Sequence, residues 1–170
     1  MGGKLWVAVS LSLSLALISP AAWGQDSGPS PGRSVSLFAG RLLPYGVYGV
    51  RNIYPYWGLR YGHRLSFAEP EYALFFVNDR SVRFYTASAS LTFRFSYGDL
   101  DLIPYFGVDV HHYSGHTNIR QLPFVTEVGG HVGCSPLFRL GGEVYLRADF
   151  KLNYGPGNTL NVGGGLIYYY

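Results

Sequence analysis

The feature of this sequence that most constrains its fold is a two-residue alternation of apolar and polar side chains. In residues 85–95, Tyr, Ala, Leu and Phe alternate with Thr, Ser and Arg, so that one face is apolar and the other polar. Residues 138–152 continue the pattern, with charged side chains at most of the alternate positions. Successive side chains of a β-strand point to opposite faces, whereas an amphipathic helix repeats every ~3.6 residues. The alternation therefore predicts strands with two unlike faces.

The same alternation, with more glycine, recurs along the chain and brings the total to about eight strands. The further predicted strands are residues 35–42, 56–65, 69–77, 102–113, 124–134 and 160–170. An even number of strands is what a transmembrane barrel needs if both of its ends are to lie on one side of the membrane. The alternation thus predicts an all-β chain, an antiparallel up-and-down barrel of eight strands.

The connections between the predicted strands supply an independent argument. Residues 44–53 and 114–123 are long, whereas the turns around Ser66 and at Ser135 and Pro136 are short. The remaining connections are residues 78–82, 96–101 and 153–159. Outer-membrane barrels have short periplasmic turns and longer outer loops, and long and short connections mostly alternate in that phase here.

The N-terminal segment is typical of a secretory signal peptide. Lys4 supplies one positive charge, and residues 5–18 form an apolar run interrupted only by serines. A signal-peptide core needs roughly 7 to 15 apolar residues, and a membrane helix needs roughly 20. The run also lacks the basic flank of a retained anchor. We predict a signal peptide over residues 1–24, a short periplasmic lead over residues 25–33 and one barrel domain over residues 34–170.

Composition excludes several classes of protein. Aromatic residues make up 17% of the chain and charged residues 14%, which is opposite to the composition of disordered chains. The single Cys134 cannot form an intramolecular disulfide, and the formal charge of +3 is spread along the chain without a nucleic-acid-binding face. A soluble sandwich or lipocalin-like barrel would show the same alternation with its apolar face inside. The many aromatics favour a membrane barrel, where they form girdles at the interfaces.

The C-terminal strand carries a resemblance to known proteins. Gly165, Tyr168 and Tyr170 are similar to the terminal signal of bacterial outer-membrane barrels, although Gly163 stands where that signal usually has a polar residue. With Gly-Leu-Arg-Tyr-Gly at residues 58–62 and Pro-Tyr-Phe-Gly-Val at residues 104–108, the chain resembles the small OmpA- and OmpX-related barrel family.

That resemblance implies an eight-stranded barrel in the cell outer membrane of a Gram-negative bacterium. It also implies contact with outer-membrane lipid and lipopolysaccharide, and recognition of the terminal strand by the barrel-assembly machinery. We expect a monomer on the same grounds.

If the apolar faces meet lipid, the polar faces point into the lumen. An eight-stranded barrel is just wide enough for side chains to fill it, so opposite charges should form a hydrogen-bonded plug there. The polar residues predicted to line this lumen are Arg60, Arg64, Glu69, Glu71, Arg94, Asp109, His111, Glu127, His131, Arg139, Glu143, Arg147 and Asp149.

One group of residues suggests catalysis. His112 and Ser114 share a face of a strand, and with Glu127 nearby they could in principle activate a serine, as in the PagL lipid A deacylases that they resemble. That family has its His-x-Ser-Asn motif on the penultimate strand, where this chain has residues 148–151, and Gly115 follows the serine here. Strand parity also places Glu127 on the opposite face from His112. We therefore expect no enzymatic activity.

The sequence gives little support for metal, phosphate or cofactor binding. His111, His112 and His116 lack the paired spacing or Cys partners of a zinc site, so no metal is predicted. No phosphate-binding loop is present, and no cofactor is expected. Three functions remain open: a non-enzymatic barrel that supports the envelope or presents loops, a lipid-modifying enzyme, and a barrel that binds a small apolar ligand.

Overall fold

The computed structural model describes residues 32–45, 52–65, 68–78, 82–98, 100–117, 120–121, 125–155 and 158–170. The predicted signal peptide and most of the predicted lead lie outside these residues, so both stay predictions. The strands are β1 Arg33–Pro44, β2 Tyr54–His63, β3 Glu69–Asn78, β4 Val82–Thr92, β5 Phe95–Tyr97, β6 Leu100–Thr117, β7 Arg120–Gln121, β8 Val125–Gly141, β9 Val144–Tyr154 and β10 Thr159–Tyr169. Within the described ranges, no helix is long and apolar enough to cross a membrane.

Eight long strands close into one antiparallel barrel, as the sequence predicts. The sheet order is β4-β3-β2-β1-β10-β9-β8-β6, and pairing of β4 with β6 closes it. Strand β5 continues β4 along β6, and β7 pairs only with β6. From Leu37, the register leads to Val110 of β6 in one direction and to Leu100 in the other. This stagger of ten residues requires tilted strands, as closure of a barrel does.

One predicted strand spans the end of β8 and most of β9. Residues 138–152 contain a tight turn in which Gly141 has φ 148° and Gly142 has φ 55°, so β8 ends and β9 begins within them. The predicted turn at Ser135 and Pro136 is wrong, because both residues lie inside β8 and pair with β6. Apolar residues continue in phase on both sides of the real turn, so the alternation does not reveal it.

The two ends of the barrel differ in their connections. The end where β1 begins and β10 ends also carries the connections after β2, β5 and β8, which span residues 64–68, 98–99 and 142–143. The opposite end carries the connections after β1, β3, β6 and β9. Short turns face the periplasm in outer-membrane barrels. We therefore name the first end the inner end and the second the outer end.

The barrel is apolar outside and polar inside, which is the reverse of a soluble barrel. Leu37 and Val108 of the outer surface are 60% and 57% exposed. In contrast, Asp109, Asp149 and Lys151 are at most 2% exposed in the interior. Apolar surface that would be costly in water is expected where lipid surrounds the protein. The predicted assignment of the apolar faces to lipid agrees with this arrangement.

Two apolar clusters share the interior with the polar side chains. The larger one lies toward the outer end and comes from β1, β2 and β3, with Phe84 of β4 packed against it; its buried members are Phe38, Leu42, Tyr54, Tyr56, Ala73, Phe75 and Val77. Its rings meet edge to face, as in the Phe38 and Phe75 pair with centroids 4.9 Å apart. The smaller cluster, near the inner end, consists of Ile103, Leu137, Ile167 and Tyr169.

Candidate functional site

Four charged side chains form the middle of the interior, and we call Arg60, Glu71, Arg147 and Asp149 the central cluster. Arg60 Nη2 lies 2.9 Å from Asp149 Oδ2, and Arg60 Nε lies 3.1 Å from Glu71 Oε1. Arg147 Nη1 lies 2.5 Å from Glu71 Oε2, and Arg147 Nη2 lies 3.8 Å from Asp149 Oδ1. Each guanidinium therefore contacts both carboxylates, and the two positive and two negative charges balance.

Hydroxyl groups and aromatic rings complete the surroundings of the central cluster. Tyr105 and Ser135 donate hydrogen bonds of 2.8 and 2.6 Å to Asp149 Oδ1. The Arg60 guanidinium lies 4.7 Å from the centroid of the Phe38 ring. Buried ion pairs are tolerated when their remaining donors and acceptors are satisfied. These hydrogen bonds serve Asp149, whereas Arg147 Nε has no hydrogen-bond partner among the described residues.

A second group, which we call the Asp109 cluster, lies between the central cluster and the outer end. Lys151 Nζ is 2.8 Å from Asp109 Oδ1 and donates a 2.9 Å hydrogen bond to Ser88. Ser88 in turn donates to Asp109. The same ammonium lies 4.4 Å from the centroid of the Phe75 ring. Lys151 belongs to the alternation of residues 138–152 but is absent from the predicted lumen residues, so the pattern could have identified it.

Two histidines extend the Asp109 cluster. His131 Nδ1 lies 3.0 Å from Asp109 Oδ2, and its Nε2 lies 2.8 Å from the Ser90 hydroxyl. His111 Nε2 is more distant from that carboxylate, at 3.9 Å, while its Nδ1 lies 2.9 Å from the Thr86 hydroxyl. One carboxylate is thus shared by an ammonium and two imidazoles.

A smaller polar group lies at the inner end. Ser34 donates a 2.9 Å hydrogen bond to Glu69, and Arg94 Nη2 lies 4.0 Å from the same carboxylate. Arg94 Nη1 is 3.8 Å from Asp101, and Arg94 also donates to the Tyr169 hydroxyl. Asp101 was not predicted, because sequence reasoning assigned it to a connection.

The structure places most of the predicted lumen residues in the interior. Those that are buried there are Arg60, Glu69, Glu71, Asp109, His111, His131, Arg147 and Asp149, and those that are half-buried are Arg94 and Glu127. Two predictions fail. Arg139 and Glu143 are exposed at the turn between β8 and β9, where Arg139 Nε donates to the Gly142 carbonyl. Both fail because a turn interrupts the alternation there. Arg64 is half-buried and lies just beyond the end of β2.

Of the candidate catalytic residues, His112 and Glu127 lie on opposite faces of the sheet in the described part of the structure. His112 points outward, with its Nδ1 2.9 Å from the Thr126 hydroxyl. Glu127 is paired in register with His111 and lies on the interior face. The backbone of Ser114 pairs with Arg83, and its side chain lies outside the described part of the structure. A nucleophile, base and orienting acid need mutual hydrogen bonds, and His112 and Glu127 are on opposite faces.

The remaining predicted features concern metals and assembly. The described residues contain no group of three or more His, Cys, Asp or Glu side chains that could hold a metal ion. Tyr168 and Tyr170 stack on the outer surface with centroids 6.0 Å apart. A Cβ atom on Gly165 would collide with the Leu37 carbonyl oxygen and with Phe38, so this position requires glycine. The role of these three residues in assembly stays a prediction.

Known proteins resemble this chain in structure more than in sequence. No protein-family model matches the sequence, and no curated protein does. Among solved structures, Neisserial surface protein A is similar with TM-score 0.72 and 13% identity, covering 84% of this chain and all of that one. The N-terminal β-barrel domain of Pseudomonas aeruginosa OprF gives TM-score 0.66 and 13% identity, covering 83% and 99%. Ail, the attachment invasion locus protein of Yersinia pestis, gives 0.57 and 12%, covering 81% and 96%.

The likeness to these structures establishes the fold, which agrees with the resemblance seen in the sequence. The two faces of the barrel are separate evidence, which does not depend on this likeness. An apolar outer surface around a charged interior is suited to lipid and not to water. Together the fold and the two faces identify the chain as a small eight-stranded transmembrane β-barrel with the fold of known outer-membrane barrels.

Proposed function

We propose that this chain is a non-enzymatic outer-membrane barrel with a closed lumen, which supports the envelope and presents its outer connections at the surface. The observation that carries the proposal is the central cluster. Arg60, Glu71, Arg147 and Asp149 are each at most 4% exposed, and their contacts join β2 and β3 to β9 across the interior.

Passage through such an interior would require the ion pairs to separate. Breaking a buried pair leaves an uncompensated charge and costs about 3 to 5 kcal/mol. Toward the outer end, the rings of Phe38, Tyr56 and Phe75 fill one wall and pack against one another. These side chains occupy the positions that would line a cavity for a small apolar ligand, which supports a structural role over ligand binding.

The absence of a relay between His112 and Glu127 supports the non-enzymatic assignment. The solved structures that resemble this chain agree with a barrel scaffold. An envelope role for such a barrel rests on its location and on the outer connections, which carry the variable surface of barrels of this kind.

Conductance across planar bilayers tests the closed lumen. We expect the refolded chain to insert without discrete current steps, while a wide porin gives steps at the same protein density. Steady single-channel currents from the unmodified chain would contradict the proposal. Lipid A mass spectrometry of cells that express the chain tests the other part, and we expect the same lipid A masses as in cells without it. A mass loss of one acyl chain would show that the chain is an enzyme.

A further inference from the structure

Two arginines on the lipid-facing surface have no partner among the residues that the structure describes. Arg41 of β1 and Arg83 of β4 point outward near the outer end, and both are exposed. Neither forms a hydrogen bond or ion pair with any residue of the described ranges. An arginine is costly on the lipid face near the bilayer centre, but near the interface its guanidinium can reach the head groups. These two side chains are therefore placed for an anionic group outside the protein.

A row of aromatic rings accompanies the arginines. Trp57, Phe76 and Tyr85 occupy one register row across β2, β3 and β4, one residue pair deeper in the barrel than Arg83. The rings of Trp57 and Phe76 stack with centroids 4.7 Å apart, and Phe76 and Tyr85 meet edge to face at 6.0 Å. Aromatic rings of this kind lie at the level of lipid head groups in barrels.

An apolar groove continues from this row toward the inner end. Its volume is about 440 Å³, and the outward side chains along it include Leu59, Tyr61, Tyr72, Leu74 and Ala87. Leu59, Leu74 and Ala87 form the register row directly below the aromatic row. The groove arises where the small Ala87 side chain lies beside the two leucines. Its volume and apolar lining suit a single acyl chain.

The opposite side of the barrel lacks this arrangement. On the described parts of β8, β9 and β10, the outward positions carry no Lys or Arg. Those in their outer halves are apolar side chains such as Val128, Val132, Leu152 and Val162, apart from Gly130, Thr126 and Tyr154. Among the described outward positions of the long strands, Arg occurs only on β1 and β4, and Lys on none.

We propose that the outer surface of β1 to β4 binds a phosphorylated, acylated glycolipid of the outer leaflet. Arg41 and Arg83 bind its phosphates, the aromatic row contacts its sugars, and the groove takes one acyl chain. Three strand spacings separate the arginines, roughly 14 Å along the sheet, and the side chains diverge on a curved surface. One phosphate cannot bridge that separation, which favours a head group that carries two phosphates.

This proposal requires the membrane position of the barrel but not a closed lumen. A conducting lumen would therefore overturn the proposed function and leave the lipid site standing. Conversely, failure of the lipid experiment would leave the closed lumen standing.

Native mass spectrometry of the refolded chain in detergent tests the arginines, with purified bisphosphorylated lipid A as the probe. The double variant Arg41→Gln, Arg83→Gln should bind it about five- to tenfold more weakly than the unmodified chain, because two charge-assisted contacts are lost. Arg33→Gln is the matched control, since Arg33 also points outward on β1 but lies at the inner end. Heat-dependent migration on a detergent gel verifies that each variant is folded. Equal affinity of the double variant and the control would overturn the proposal.

Two further comparisons test the head group and the groove. Removing one phosphate from the lipid should weaken binding to the unmodified chain more than to the double variant. Phosphatidylglycerol should bind more weakly; equal binding with the same dependence on the arginines would overturn the assignment to a glycolipid. Ala87→Phe, which fills the groove, should lower lipid A affinity at least threefold, whereas Ala148→Phe on the opposite side should not. Equal effects of these two folded variants would overturn the role of the groove.

Discussion

The central cluster and the Asp109 cluster bury charge in the same lumen by different means. In the central cluster, each of two guanidinium groups contacts two carboxylates, so every charge has two opposite neighbours. In the Asp109 cluster, one carboxylate holds one ammonium, and hydroxyls and imidazoles supply the remaining contacts. The planar, five-donor guanidinium can bridge strands, whereas the ammonium is a compact point charge. The central cluster therefore links distant strands, whereas the Asp109 cluster satisfies one buried lysine.

The largest expected effect is that of Asp149→Asn, which keeps the size of the side chain and removes its charge. Arg60 and Arg147 would then share one carboxylate in a site closed to water. We expect the free energy of unfolding in lipid or detergent to fall by about 3 to 5 kcal/mol. Urea titrations followed by the heat-dependent gel shift measure it. Glu143→Gln, at an exposed turn, is the control and should change stability by less than about 0.5 kcal/mol. Similar losses in both variants would mean that the central cluster does not stabilise the barrel.

Asp109→Asn should cost less, about 2 to 3 kcal/mol, although Asp109 is equally buried. The reason is that Lys151 keeps the Ser88 hydroxyl and the Phe75 ring as neighbours. The same urea titration measures the loss. The double variant Asp109→Asn, Lys151→Met removes both charges and should recover at least half of it, because the uncompensated ammonium is gone. A double variant less stable than the single one would show that Lys151 contributes by a route other than its pairing with Asp109.

The smallest losses of stability should come from removing a single hydroxyl group in each of the two clusters. Ser135→Ala removes a donor to the fully buried Asp149 and should cost about 1 to 2 kcal/mol. Ser90→Ala removes the partner of His131 Nε2 at a half-buried position and should cost less than about 1 kcal/mol. Both are measured by urea titration under one set of conditions. A larger loss of stability in Ser90→Ala than in Ser135→Ala would show that the hydroxyl contacts of the Asp109 cluster stabilise the barrel more.

Much of the fold could be predicted from the sequence, because the alternation is a local property of a strand with two unlike faces. Residues 85–95 show this, since their predicted apolar face does lie on the outer surface. The turn at Gly141 and Gly142 could not be found in that way. The apolar positions 138 and 140 precede it, and 144 and 146 follow it with unchanged parity. The end of β8 and most of β9 therefore look like a single strand in the sequence. The failed predictions for Arg139 and Glu143 have the same origin.

The lipid-facing groove likewise could not be predicted from the sequence. Each of Leu59, Leu74 and Ala87 is an ordinary apolar position of its own strand. Only the register of β2, β3 and β4 places them side by side. The arginines of the outer surface are likewise separated by 42 positions in sequence and become neighbours of one surface through strand pairing.

The sequence by itself determined the number of strands, the face of each strand that meets lipid and the presence of charge in the interior. It did so because each of these follows from spacing within about ten residues. Only the tertiary structure decided which charges meet. Arg60 and Asp149 are 89 residues apart and lie on strands that are not neighbours in the sheet. Their contact depends on closure of the barrel and on its stagger of ten residues, which are properties of all eight strands together and of no single segment.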